Sequence, residues 1–313
     1  MMKLARGSLT SSEAFESEDD YIQRMEAQSD ITFFKTYDIT YEFTATTFTK
    51  TSRLPIKSQR LDGTPFVWYR SWNHERITNE ARALEIVLKE TKIPVPRLLA
   101  HGSHPDGRRF LITEFIEGPR LDTFPGRSCS KPEGQEHTNG TSCKDCSDQA
   151  YANALDFISG TVMPQLATMK SQSRGIDGFV MPPSWLSPDI QPPWTGKERW
   201  KTLPLKQPEY VFQHGDIAAH NIIMDPRTLK VKALIDFEYA GFYPPGMENW
   251  TGTLCPDAYN RRSENIAHLI KQFLATEYVE CYDKWSDKME LNKLTDLGKL
   301  PHPDQVRQDG TED

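Results

Sequence analysis

The chain has 313 residues, 37% of them hydrophobic and 26% charged, enough for one two-lobed unit or two small domains with polar appendages. No apolar run approaches the ~20 residues that span a bilayer, and the first residues hold no apolar signal core, so a cytoplasmic protein without a membrane partner is expected. The net charge of -7 argues against nucleic acid and is compatible with a cationic substrate, and five cysteines, an odd number, point to reduced thiols rather than a disulfide framework.

Residues 1–30 are polar and acidic, a lead-in in which Ser12 can cap a short helix through Gln28. Ile31 to Arg70 is rich in Thr, Phe, Tyr and Ile, the residues of a twisted antiparallel sheet. Within it Leu61-Asp62-Gly63-Thr64 is a hairpin turn signal, and Pro65 to Arg70 reads as the following strand. From Asn73 or Ser71 a helix is expected to run to about Glu90, with Ile77, Ala81, Leu84 and Leu88 on one face. Ile93-Pro94-Val95-Pro96 leads towards another strand, Arg109 to Phe115, and a domain boundary falls near Gly118 and Pro119.

Gly126 to Asp148 breaks the composition and holds Cys129, His137, Cys143 and Cys146. Such a cluster reads as a zinc candidate, but its spacing is not that of a standard finger, and a flexible insertion with exposed thiols is preferred. Tyr151 to Lys170 reads as a helix kinked or divided by Pro164. Pro182 to Pro208 is proline-rich extended chain carrying Trp185, Trp194 and Trp200, read as packing residues before acceptor contacts.

Tyr210 to Gly241 is the stretch that carries chemistry, and it reads as strand, loop, short strand, turn, strand. Its polar residues cluster at the strand ends: His214 and Asp216 after the first, Asn221 before the second, Asp236 after the third. Three oxygen-bearing side chains on converging hairpin ends suit one or two magnesium ions and a hydroxyl nucleophile. Arg261 to Tyr282 has helical apolar spacing, and residues 298–313 read as a disordered tail.

His214-Gly215-Asp216, Asn221 five residues after the aspartate, and Asp236 in an Ile-Asp-Phe context resemble the catalytic and metal-binding segments of the protein-kinase-like superfamily. The pattern looks like the aminoglycoside phosphotransferase family in its fungal "phosphotransferase enzyme" form. Protein kinases usually carry Arg after the His and Lys two places after the Asp. Here those positions are Gly215 and Ala218, which favours a small-molecule acceptor.

The resemblance implies an α+β, two-lobed kinase-like fold: a small antiparallel-sheet N-lobe over 31–118 and a mainly helical C-lobe over 119–297, interrupted by the insertion at 126–148. It implies ATP and Mg2+ as cofactors and transfer of the γ-phosphoryl group to a hydroxyl of a small molecule. Asp216 would be the catalytic base, and Asn221 and Asp236 the metal ligands. Arg70 would counter the nucleotide phosphates with Glu80 to orient it, and Glu114, Phe115 and Ile116 would meet the adenine edge. His214 and His220 read as bracing or surface residues, and Glu238 as a surface group or one facing the acceptor. The loop expected over the phosphates, near Thr46 to Ser52, contains no glycine. That departure keeps open a pseudoenzyme that binds or regulates without efficient catalysis; a true protein kinase is disfavoured by Gly215 and Ala218.

Overall fold

The computed structural model describes residues 32–68, 70, 72–124, 143–173, 175–176, 181, 209–243, 245, 248, 250, 252–255, 257–258 and 261. The lead-in helix, Cys129, His137, the three tryptophans of the proline-rich segment, the polar tail and all but the first residue of the helix expected from Arg261 lie outside them.

The first lobe is one antiparallel sheet covered by one helix. Strands β1 (Thr32–Lys35), β2 (Ile39–Phe43), β3 (Thr47–Ser52), β6 (Leu98–Ser103) and β7 (Arg109–Glu114) are ordered β1-β2-β3-β7-β6. Their threonines and aromatics suit a pleated, half-buried surface. Register sets Tyr41 opposite Lys50 and Lys50 opposite Leu111, so a lysine stands in the middle of the sheet on the same face as Phe48 and Thr113. The segment expected as a phosphate-covering loop is therefore the central strand β3. Runs of threonine, read as loop hydroxyls, are equally β-branched strand formers, and strand pairing decided between the two.

Strands β4 (Ile56–Gln59) and β5 (Pro65–Trp68) form the expected hairpin, with Gly63 at φ +82° in its turn, but they make a separate two-stranded ribbon. Arg70 follows this ribbon, outside the main sheet.

Helix α1 runs over Asn73–Glu90 and buries Ile77, Ala81, Leu84 and Val87 against the sheet. Leu88, expected on that face, is 40% exposed, and Val87 takes its place because three-residue steps recur in a 3.6-residue period. Truncating a residue such as Leu84, 2% exposed, to alanine costs roughly 2–5 kcal/mol.

The lobes meet where residues 115–120 pass along the second lobe's hairpin, β10 (Ile222–Met224) and β11 (Val231–Leu234). The Met224 N–H donates to the Pro119 carbonyl at 2.9 Å, and a Cβ built on Gly118 would stand 2.4 Å from the Met224 carbonyl oxygen. Only glycine allows that approach.

In the second lobe the helix expected from Tyr151 starts earlier, as α2 (Lys144–Phe157). A π-helical turn over Ile158–Val162 then leads into α3 (Met163–Thr168), with Pro164 in its first turn. Pro164 has no N–H to donate and its ring crowds the preceding turn, which explains why the regular helix is interrupted just before it. Cys143 and Cys146 are 0% and 2% exposed and join the apolar core with Ala150, Ala154 and Leu121. This corrects the expectation of exposed thiols for these two residues: the C-terminal end of the apparent insertion is helix and core. Strands β8 (Lys170–Ser171), β9 (Tyr210–Gln213) and β12 (Gly241–Tyr243) form a small sheet, ordered β12-β9-β8, beneath the loop that follows β9.

Candidate active site

A cavity of about 570 Å3 lies between the lobes, a size suited to a small organic ligand. The face of the sheet with Tyr41, Phe48 and Lys50 forms one side, Ile223 and Ile235 the other, and Glu114, Phe115 and Ile116 the back. The Glu114 and Phe115 N–H groups donate to the Arg97 and Thr46 carbonyls at 3.0 and 2.8 Å, so they are used within the fold.

Lys50 is the central charge of the cavity wall. Its ammonium donates to Glu80 Oε2 at 2.8 Å and to Asp236 Oδ1 at 2.7 Å, joining β3, α1 and the segment after β11. Burial works against the Lys50 charge, but Asp236 and then Glu80 outweigh it and hold the ammonium protonated well above its usual range. Burial pushes the Glu80 carboxyl up to about 7 in spite of Lys50. Burial also opposes ionisation of Asp236, but Lys50, by charge and hydrogen bond, holds that carboxyl below the usual range. Asp236 also sits at φ +68°, a left-handed conformation that costs a non-glycine residue on the order of 1 kcal/mol or more and persists only where the surroundings enforce it.

The expected pairing of Arg70 with Glu80 is not formed. Glu80 is taken by Lys50, while Arg70 donates to Asp38 Oδ2 at 2.9 Å, to Glu238 Oε1 at 3.3 Å and to the Tyr239 hydroxyl. Arg70 is not among the described residues that line the cavity. The reason is topological: a strand outside the main sheet cannot present its end to the sheet's inner face. The signal for Lys50 was present in the sequence, a lysine in phase with Phe48 on an alternating strand, but it carried weight only once that strand was known to be central. The turn before β2, Thr36 to Asp38, faces the cavity through Thr36, and it too has no glycine.

The loop after β9 holds Asp216. His214 is fully buried; its Nε2–H donates to the Ile235 carbonyl at 3.0 Å, and its Nδ1 accepts the Asp216 N–H at 3.1 Å. That pair of bonds fixes the neutral tautomer and makes His214 a brace between the loop and the end of β11. Gly215 adopts φ +83°, and a Cβ there would stand 2.7 Å from the Tyr239 carbonyl oxygen. An arginine at that place would be both strained and obstructed. Glu248, to which the sequence assigned no site role, accepts the His214 and Gly215 N–H groups at 2.6 and 2.9 Å.

Asn221 Nδ2 donates to the Asp216 carbonyl at 2.9 Å and to its Oδ2 at 3.0 Å, which orients the carboxylate. His220 Nε2 stands 3.6 Å from the same oxygen, and the Asp216 carboxylate, despite burial, raises the His220 pKa above its usual value. His220, Asn221 and Asp236 all line the cavity.

Glu238, thought able to face an acceptor, is 7% exposed and paired with Arg76 Nη1 at 3.1 and 3.0 Å through its two oxygens. Oxygen atoms of Glu80, Asp236 and Glu238 lie within 4.8 Å of one another, the one such acidic group among the described residues. Glu238 is committed to arginine, while Glu80 and Asp236 share Lys50 and both line the cavity. The amide oxygen of Asn221 and the carboxylate oxygens of Asp236 are donors of the kind that magnesium, a hard ion, prefers, and both residues line the cavity.

Among solved structures, the chain is similar to an aminoglycoside-3'-phosphotransferase of type VIII, at 15% identity over 79% of this chain and 91% of that one, with a TM-score of 0.41. It is similar also to a thermostable mutant of aminoglycoside phosphotransferase APH(4)-Ia in ternary complex with ADP and hygromycin B, at 12% identity over 84% of each chain, with a TM-score of 0.40. No curated protein matches the sequence. Residues 183–278, the stretch that carries Asp216, Asn221 and Asp236, match the model of the Phosphotransferase enzyme family.

Proposed function

We propose that this chain is an ATP- and magnesium-dependent phosphotransferase that moves the γ-phosphoryl group to a hydroxyl of a small molecule. The observation that carries the reading is Lys50, held between Glu80 and Asp236 in the wall of the cavity that Asn221 and residues 114–116 also line. Phosphoryl transfer asks for alignment and charge neutralisation more than for covalent chemistry. Lys50 supplies a fixed cation for the phosphates. Asp216, oriented by Asn221, accepts a hydrogen bond from the acceptor hydroxyl and takes its proton as the bond to phosphorus forms. Asn221 and Asp236 are the residues that would hold magnesium, which supplies charge neutralisation at the phosphate oxygens when bound.

This reading moves the phosphate cation from Arg70 to Lys50 and keeps Glu80 in the site as the partner of that cation. Glu114, Phe115 and Ile116 line the same cavity and remain our assignment for the base edge, through groups other than the Glu114 and Phe115 N–H. The acceptor is a small molecule because Ala218 leaves no lysine beside Asp216 to handle a peptide hydroxyl. One feature favours a second reading: the turn Thr36–Asp38 has no glycine to approach phosphate closely, as a nucleotide-binding pseudoenzyme would tolerate.

Calorimetry with ATP and magnesium, followed by phosphate release across a panel of hydroxyl compounds, separates these readings. Binding at micromolar to millimolar nucleotide is expected, lost more completely in Asp236→Ala than in Asn221→Ala because the former removes a charged ligand. Absence of binding heat at millimolar ATP in folded protein sinks the phosphotransferase. Binding without turnover on any acceptor leaves the pseudoenzyme.

A further inference from the structure

Behind the cavity lies a cluster of charges that the chemistry above does not use. Arg76, on the first turns of α1, is 2% exposed. Its Nη1 donates to both oxygens of Glu238, its Nη2 donates to Asp38 Oδ2 at 2.7 Å, and its Nε donates to Asn73 Oδ1 at 3.0 Å. One guanidinium therefore holds two carboxylates from distant parts of the chain. Asp38 ends the turn between β1 and β2, where it also accepts the Thr36 hydroxyl at 2.6 Å, and Thr36 lines the cavity. Glu238 stands two residues after Asp236.

The same helix grips the same two segments by their backbones. Asn79 Nδ2 donates to the Glu238 and Ala240 carbonyls at 3.0 and 2.9 Å, and Asn73 Nδ2 donates to the Asp38 carbonyl at 2.7 Å. Arg70 flanks the cluster from its more exposed side.

We propose that Arg76 is a positioning residue: through Glu238 and Asp38 it fixes the metal-binding segment and the turn facing the phosphates in one arrangement. The inference rests on the phosphotransferase reading for its consequence, not for its geometry. Three features require such a clasp. Asp236 sits at φ +68° and needs an external restraint to stay there. The turn Thr36–Asp38 lacks glycine, so its approach to the phosphates is set by where it is tethered rather than by local freedom. A planar guanidinium presents its donors at fixed mutual angles, so the two carboxylates it holds are set in one geometry, whereas an ammonium's donors rotate about its stem.

The test uses the full chain without nucleotide. In Arg76→Met, hydrogen exchange read by mass spectrometry should quicken about tenfold or more in both 36–41 and 236–241, the scale of losing charge-assisted bonds. Asp38→Asn should quicken only the first segment and Glu238→Gln only the second. In magnesium-dependent ATP binding, Arg76→Met and Glu238→Gln should each raise the magnesium needed for half-saturation about tenfold, and Arg76→Lys should recover part of that loss. Should Arg76→Met not fold, Glu238→Gln decides. The proposal is overturned if either segment keeps wild-type exchange in folded Arg76→Met, or if Glu238→Gln leaves both exchange and magnesium dependence unchanged. If the wild type binds no nucleotide, the phosphotransferase reading falls, while the exchange experiment still decides the clasp.

Discussion

Lys50 and Arg70 stand twenty residues apart in the first lobe, and each touches two carboxylates. Lys50 lies on the central strand of the sheet and faces the cavity; Arg70 lies beyond the outlying ribbon and faces Asp38 and Glu238. The two sites hold similar charges for different ends. Around Lys50 one cation stands between two carboxylates in the cavity wall; around Arg70 and Arg76 the carboxylates Asp38 and Glu238 are matched cation for anion. Charge type is thus a poor guide to function here, and the face on which a charge stands is the better one.

The comparison sharpens first at Asp216, whose carboxylate is held by the cavity-lining Asn221. Asp216→Asn removes the proton acceptor and keeps the shape, so turnover should fall by ~100- to 10,000-fold with ATP binding nearly intact. Full activity in that variant would remove Asp216 from the mechanism and leave Lys50 as a structural cation.

The second measurement sets the two cations directly against each other. Lys50→Met should lower kcat/KM by about 100-fold or more, because a fixed charge aimed at the phosphates is lost. Arg70→Met should lower it by less than about tenfold while lowering Tm, since its partially exposed pairs contribute on the order of 1 kcal/mol each. Equal kinetic losses in the two variants would break the distinction drawn from the sheet topology.

A smaller effect, on stability, tests whether the edge of α1 is held by a neutral group. His74 is 8% exposed, and its Nδ1 lies 2.6 Å from the Ser52 hydroxyl. Burial first, and then the charges of Arg109, Arg108 and Arg76, lower its pKa to about 4, with Asp106 opposing. The unfolded chain binds the proton below about 6.5 and the folded chain only near 4, so stability is full above pH 6.5 and falls as the pH drops towards 4. The loss should reach about 3 kcal/mol, and His74→Gln should flatten that limb of a denaturation series run at several pH values. An acid limb of equal slope in the variant would assign it to the carboxylates instead.

The second lobe's active segment was legible because its order is local. His214, Asp216, Asn221 and Asp236 fall within one strand, loop and hairpin, so their spacing along the chain already dictates their convergence. The helix over Asn73–Glu90 and the turn at Gly63 were equally local, one set by period and the other by a glycine dihedral. The sequence also held the reason for Gly215 without showing it, because the Tyr239 carbonyl that excludes a side chain comes from another segment.

What the tertiary structure alone decided was which groups each charge meets. Lys50 and Asp236 are separated by 186 residues, and Arg76 and Glu238 by 162, distances over which spacing says nothing about contact. Strand pairing placed Thr47–Ser52 in the centre of a sheet and so turned an expected phosphate loop into the strand that carries Lys50 to the cavity wall. Packing likewise took Cys143 and Cys146 out of solvent and into the core. A residue's chemistry is fixed by its own atoms and a few neighbours in sequence; its partner is fixed only when burial forces distant polar groups to satisfy one another.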